Sequence, residues 1–450
     1  MSPLLLLVAA VALAATGPIS GVHRLPITRT TVELDWRWVG ADPFGKHHPS
    51  QQPLVQRFHE RKNTNEKHSK KVARTFSKNI LSGEDDIDFW SIYTAPIRLG
   101  NPPLNLDTII DTSWSPFFVP SANCTYDARE INNCIIHPLY NSSLSSTYRA
   151  DLSPCKMVYW GVEGIQTYGR ISEDSLHASG LEITNQVFEE ATQWHPGYLT
   201  SDYLFDTVLG LALHPTYDEW GNFSAPGPFQ NLIKQQLLRE NIFSLTLPRT
   251  DNERGEIVFG GLPENVTREG LIEVPLNDTR RGEGDDLWDF YTSNGWQVLV
   301  ENIAMTPASS KKFLPILAKQ HIAVVTSSYP YIGLPEEAAK KANQFIGLNN
   351  GGTWVNCNTR SSLPDIVIAF SAEKRIKLTA RDYLLEVYDD IYGRLKCVST
   401  FVSLGDSGNS GIILLGSPFL NGLYSVFDAD RKSISFGNQQ LQRTKSYIEY

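Results

Sequence analysis

Cysteine is scarce: Cys124, Cys134, Cys155, Cys357 and Cys397 are the only five in 450 residues. That excludes a small scaffold held together mainly by disulfides, and it leaves an odd thiol over. Charged residues reach only 20% against 41% apolar, which excludes a disordered chain. Beyond the first twenty residues there is no run of eighteen apolar residues, so no membrane anchor is expected. No glycine-rich loop follows a strand and opens a helix, as a nucleotide site requires. His47, His48, His59 and His68 lack the Cys or carboxylate spacing of a metal centre. The sequence therefore calls for no cofactor and no metal.

What is present begins with an apolar stretch from Leu4 to Ala15, followed closely by small residues. With the small-x-small site Ala12-Leu13-Ala14 it reads as a secretory signal, residues 1–14, although its start carries no Lys or Arg. A buried N-terminal helix is the bland alternative. Five Asn-x-Ser/Thr acceptors, at Asn123, Asn141, Asn222, Asn265 and Asn277, agree with a secretory route and glycosylation.

Charge is unevenly distributed. From Ala15 to Ile80 there are twelve Lys and Arg against five Asp and Glu, a balance of +7, whereas residues 81–450 balance at −16. A nucleic-acid-binding arm is one reading of such a segment. After a signal sequence, a cationic prosegment over an acidic body fits better, because carboxylate protonation would loosen it. Residues 15–86 are read in this way, as a segment that is removed or partly disordered. Lys70-Lys71 and Arg74 are its candidate cleavage points, and no nucleic-acid partner is called for.

Beyond residue 87, short apolar or alternating runs are broken by Gly, Pro, Asn and Asp about every ten residues, an all-β pattern. Only "GPFQNLIKQQLLRE" and "LPEEAAKKANQFIG" look helical. A weak internal repeat is also visible. "LDTIIDTSWSPFFVPS" precedes "FDTVLGLAL", and "IAVVTSSYPYIGLP" precedes "GIILLGSPFL". Each pair is an apolar strand ending in a polar elbow, then a second apolar strand closing on Gly. Two similar lobes facing each other would bring the elbows together.

With "FWSIYTAPIRLGNPPLNLDTIIDTS", "GEIVFGGLPENVTREGLIEVPL", "SLPDIVIAF" and "LLGSPFLNGLYSVFDADRKSISFG" in the same order, the chain resembles the pepsin-like aspartic proteases over about residues 90–437. The resemblance implies an all-β, bilobal fold: two pseudo-symmetric β-barrel lobes, residues 87–255 and 256–440, flanking a cleft, with few short helices. It implies disulfides Cys357–Cys397 and Cys124–Cys134, leaving Cys155 unmatched. It also implies an extended peptide or protein in the cleft and a monomer.

Such enzymes share one proton and one water between two carboxylates, one from each elbow. The first elbow here is Asp111-Thr112-Ser113, with Ser113 where the family has Gly, and Trp114 replacing a small residue. Ser115 matches a family serine that hydrogen-bonds the Asp. In the second elbow Thr326 stands where the second Asp belongs, Ser327 at the Thr and Ser328 at the Gly. A threonine neither ionises at working pH nor shares an acidic proton. In the flap the candidates are Tyr159, Trp160 and Gly161, and Phe118 retains an apolar cleft wall. The expectation is a secreted or vacuolar/lysosomal homologue that has lost catalysis and keeps its cleft for binding. The alternative is an active aspartic-type acid endopeptidase with a single-Asp site. A purely structural storage or wall protein has no supporting residue.

Overall fold

The computed structural model describes residues 21–35, 87–124, 134, 137–159, 165–195, 205–215, 225–263, 266–277, 295–306, 312–348, 352–389, 394–404 and 411–438. The first half supplies β1 (His23–Asp35), β2 (Ile87–Leu99), β3 (Leu104–Asp111), β4 (Phe118–Pro120) and β5 (Arg149–Tyr159). It continues with β6 (Ile165–Ala178), β7 (Leu181–His195), β8 (Thr207–Gly210), β9 (Ile242–Thr246) and β10 (Gly255–Phe259). The second half adds three smaller sheets and three strands, Ile272–Pro275, Leu423–Asp428 and Ser433–Asn438, that join the first-half sheet. The all-β expectation holds. Each described sheet is an open strand order rather than a closed barrel.

The strand Leu423–Asp428 pairs with β9, so one sheet runs continuously through both halves, and the expected lobe boundary at 255/256 falls at the start of β10. Tyr93 Oη donates to Asn421 Oδ1 at 2.7 Å, and Trp296 Nε1 donates to the Leu211 carbonyl at 2.8 Å, fastening the halves through buried groups. The helices Pro228–Lys234 and Glu336–Phe345 lie within the two segments that looked helical. Pro228 takes the first position of the former, where it has no N–H to leave unsatisfied, and Pro335 caps the latter.

Of the expected prosegment, 15–86, the structure describes residues 21–35. This stretch forms β1, inserted between β10 and β2. Leu25, Ile27 and Arg29 point inward while Arg24, Pro26 and Thr28 face out, the period of two that a strand imposes. Counting charge along this segment hid that alternation.

The repeat has a clear structural counterpart. β3 runs parallel to β8, pairing Asp111 with Gly210. In the second half the strand His321–Val325 runs parallel to Ile412–Leu415, pairing Val325 with Leu415 and leaving Thr326 beside Gly416. These two glycines are forced by close approach. A Cβ on Gly210 would sit 2.5 Å from the Trp114 carbonyl oxygen, and one on Gly416 would sit 2.2 Å from both the Tyr329 and Tyr331 oxygens.

Candidate functional site

The strands of each repeat are apolar because both faces are covered, and each ends where its elbow turns toward the other half. The elbows meet by a reciprocal exchange. Thr112 N–H donates to Ser327 Oγ and Ser327 N–H donates to Thr112 Oγ1, both at 3.1 Å. Each hydroxyl then reaches past its partner: Thr112 Oγ1 donates to the Val325 carbonyl at 3.0 Å and Ser327 Oγ to the Ile110 carbonyl at 2.7 Å. All four donors are buried, so each bond also satisfies a group that water cannot reach.

This junction puts Asp111 and Thr326 at equivalent positions in the two repeats, both fully buried. The Ser113 N–H donates to Asp111 Oδ1 at 2.6 Å and the Tyr159 hydroxyl to Oδ2 at 2.8 Å. The Ser328 hydroxyl also supports the carboxylate, and it lies 3.3 Å from Thr326 Oγ1. Ser328 thus lies beside both elbow positions. Burial raises the Asp111 pKa from 3.8 to about 6, against the lowering effect of those three hydrogen bonds. No second carboxylate contributes to the shift among the described residues. The desolvation of one acid, rather than repulsion between two, sets this value.

An aromatic wall closes around the carboxylate. Trp114 meets Tyr159 edge to face at 5.0 Å between ring centroids, and Phe118 lies 6.4 Å from Tyr159 and 5.2 Å from Trp194. In the second elbow Tyr329 and Tyr331 pack edge to face at 5.9 Å. Trp114, which replaces a small residue, is therefore packed against Tyr159 rather than strained outward.

Of the residues singled out from sequence, the structure gathers Asp111, Thr112, Ser113, Tyr159, Thr326, Ser327 and Ser328 into one buried cluster. Ser115 is corrected: its hydroxyl accepts from Gln230 Nε2 at 3.2 Å, and the partners of Asp111 are the three groups above. Its position two residues beyond Ser113 turns it toward the helix Pro228–Lys234, where a Cβ on Gly227 would lie 2.6 Å from the Ser115 carbonyl. Phe118 is buried against Tyr159 and Trp194. Trp160 and Gly161 lie outside the described residues, as do Asn222 and Asn265. Asn123 and Asn141 are exposed and Asn277 is partly so. Disulfides Cys124–Cys134 and Cys357–Cys397 are formed, and Cys155 is buried in β5 outside both. Sequence reasoning missed the contact between Tyr159 and Asp111, because the two are 48 residues apart and only the packing of β5 over the elbow joins them.

Among the described residues, no group of three His, Cys, Asp or Glu is placed to hold a metal ion, and no helix is long and apolar enough to cross a membrane.

Comparison with known proteins agrees with this architecture. A family model described as "Eukaryotic aspartyl protease" matches residues 92–439. The chain is 30% identical over 348 residues to a protein named vacuolar protease A from Aspergillus fumigatus, covering 76% of this chain and 77% of that one. It is 28% identical over 350 residues to a cathepsin D from Dictyostelium discoideum, covering 76% and 82%. A cathepsin D from Gallus gallus gives 28% over 352 residues, covering 76% and 80%. With a family match spanning most of its length and paired elbows braced in the way that family requires, the chain belongs to the eukaryotic aspartyl proteases.

Proposed function

We propose that this protein is a pseudo-protease of the aspartic family, delivered by the secretory route to the exterior or to a vacuolar or lysosomal compartment, where its cleft binds an extended peptide or protein without cutting it. The observation that carries the reading is the occupancy of the second acid's place. Thr326 stands at the position equivalent to Asp111, with the Ser328 hydroxyl 3.3 Å from its Oγ1. Peptide hydrolysis by this chemistry needs one carboxylate as base toward water and a second as acid toward the scissile carbonyl. Asp111 can fill one role at a time. Its two oxygens accept from the Ser113 N–H and the Tyr159 hydroxyl, and Thr326 offers no second acid to take the other role.

The relatives named as vacuolar proteases and cathepsin D favour an acidic compartment, and the exposed acceptors Asn123 and Asn141 favour glycosylation on the way there. The two elbows remain braced against each other, which supports a binding surface kept between the halves.

Purified protein incubated with denatured globin between about pH 2 and 6 should leave the globin intact. The double variant Thr326→Asp, Ser328→Gly should gain cleavage that a statine-type peptide blocks, because it supplies the acid and removes the Ser328 side chain beside it. Statine-sensitive cutting by the unmodified protein that disappears in Asp111→Asn would establish the alternative, a single-Asp endopeptidase.

A further inference from the structure

Single apolar residues scattered over a surface need no explanation, but two beside each other on one loop do. Among the described residues six large apolar side chains are exposed, and two of them flank one asparagine: Leu139 is 37% exposed and Leu144 66%. Tyr140, bridged to Ser121, is buried, so Leu139 and Asn141 on either side of it face outward together. On the other side the Leu144 N–H donates to the Asn141 carbonyl at 3.0 Å, which folds Leu144 back by one turn. Pro102 and Pro103, also exposed, border this loop, since the Ser146 N–H donates to the Asn101 carbonyl at 2.8 Å.

We propose that Asn141 carries an N-linked glycan and that this glycan lies over Leu139 and Leu144. The proposal rests on the secretory route argued above and is independent of whether the elbows catalyse anything.

Asn141 suits the modification atom by atom. Asn141-Ser142-Ser143 is an acceptor with no proline in it. Asn141 Oδ1 accepts from the Ser143 N–H at 3.1 Å and from the Ser143 hydroxyl at 2.7 Å. Both bonds fall on the oxygen. The amide nitrogen, the atom that receives the sugar, has no partner among the described residues, and the residue is exposed. In the transfer one Nδ2–H bond breaks and the bond from Nδ2 to the sugar C1 forms. The donor is a lipid-linked oligosaccharide diphosphate. Its lipid diphosphate leaves with the electron pair of the C1–O bond, and the proton passes to a base.

The loop under the acceptor is fixed. The Tyr140 N–H donates to the Pro120 carbonyl at 2.8 Å and its hydroxyl to Asp174 Oδ2 at 2.6 Å, while Ser145 Oγ accepts the Asn101 N–H at 2.9 Å. A glycan there projects from a constant place beside the two leucines. The other described acceptors lack this setting. Asn277 is partly buried, with its N–H tied to the Gln297 carbonyl at 2.8 Å, and Asn123 adjoins Cys124 of the Cys124–Cys134 bridge. Neither is flanked in the chain by an exposed large apolar residue among the described ones.

The full chain is expressed in a secreting eukaryotic host with its own first residues, and in parallel with a heterologous signal sequence in place of residues 1–14. Glycopeptides are read by mass spectrometry, and Ser143→Ala, Ser143→Thr and Asn141→Gln are run beside the unmodified protein on denaturing gels. The expected result is a glycan on Asn141 in both forms, one mobility step lost in Ser143→Ala and Asn141→Gln, and the step kept in Ser143→Thr. A bare Asn141 under both signals overturns the inference. A glycan on Asn141 under the heterologous signal alone overturns the secretory reading and leaves the site standing.

The covering role has its own readout, the concentration at which the secreted protein self-associates by light scattering. Asn141→Gln should associate at about tenfold lower concentration, the factor that burying about one exposed leucine supplies. Adding Leu144→Ser to that variant should reverse most of the shift. Equal association of Asn141→Gln and the glycosylated protein, or no reversal by Leu144→Ser, overturns the covering role.

Discussion

Replacing Asp111 by Asn is expected to stabilise the protein at neutral pH and to have little effect in acid. The carboxyl is fully buried, and its pKa is pushed up from 3.8 to about 6, chiefly by desolvation. The folded state therefore holds its proton more tightly than the unfolded chain does. The stability this confers is complete below about pH 3.8 and is lost as pH rises through about 6. The gap between those two values, at about 1.4 kcal/mol for each pH unit, gives a burden of about 3 kcal/mol on the ionised native state. Asn keeps the shape and the oxygen that accepts the Ser113 N–H, and it does not titrate. Urea unfolding of both proteins at intervals from about pH 7.5 to 3 isolates the effect, since every other titrating group cancels in the difference. The variant should lead by about 3 kcal/mol at the neutral end, with the gap closing through the interval between pH 6 and 4. Altered hydrogen bonds in the variant add a constant offset and leave that slope intact. A difference that stays flat with pH, or that widens in acid, would refute the claim that Asp111 sits alone and dehydrated.

Tyr159→Phe removes the donor on Asp111 Oδ2 and should raise that pKa above 6, read by carbon NMR of the carboxyl, with a loss of about 1.5–3 kcal/mol at neutral pH only. An unchanged titration midpoint would show that the hydroxyl does not engage the carboxylate. Thr112→Val deletes one donor and leaves the Ser327 N–H without its acceptor, so denaturation should show a loss of about 2–4 kcal/mol, while Thr112→Ser should restore most of it. Equal stability of the Val and Ser variants would contradict the bracing role. Gly416→Ala drives a methyl into two carbonyl oxygens and should cost about 3 kcal/mol or more. Gly352→Ala, where the nearest atom is 3.7 Å away, should stay within about 0.5 kcal/mol in the same assay.

Much of this arrangement is legible in the sequence. "LDTIID" and "IAVV" announce strands buried on both faces, and the abrupt polar residues that end them mark Asp111 and Thr326 as counterparts. The repeat also sets Thr112 and Ser327 at matching places in the two elbows, where the structure finds them bracing each other. Side-chain reach was not legible. Ser115 lies near Asp111 in sequence but turns away to Gln230, whereas Tyr159, 48 residues on, lands on the carboxylate. Ser328 looked like a crowded stand-in for glycine, and its place beside both elbow positions appears only once the two loops are set face to face. At β1 net charge did not reveal the strand, because Arg29 adds to the basic count although its guanidinium is spent inside the protein.

The strand order has a consequence for how the protein is made. β1 is the first described strand to leave the ribosome, and its neighbour β10 follows only after more than two hundred further residues. The same sheet waits for Leu423–Asp428 and Ser433–Asn438, about four hundred residues after β1. A nascent chain therefore carries an incomplete sheet until residue 438 has been added, and truncation anywhere before it should send an unfinished edge to the quality-control machinery rather than release a smaller working domain.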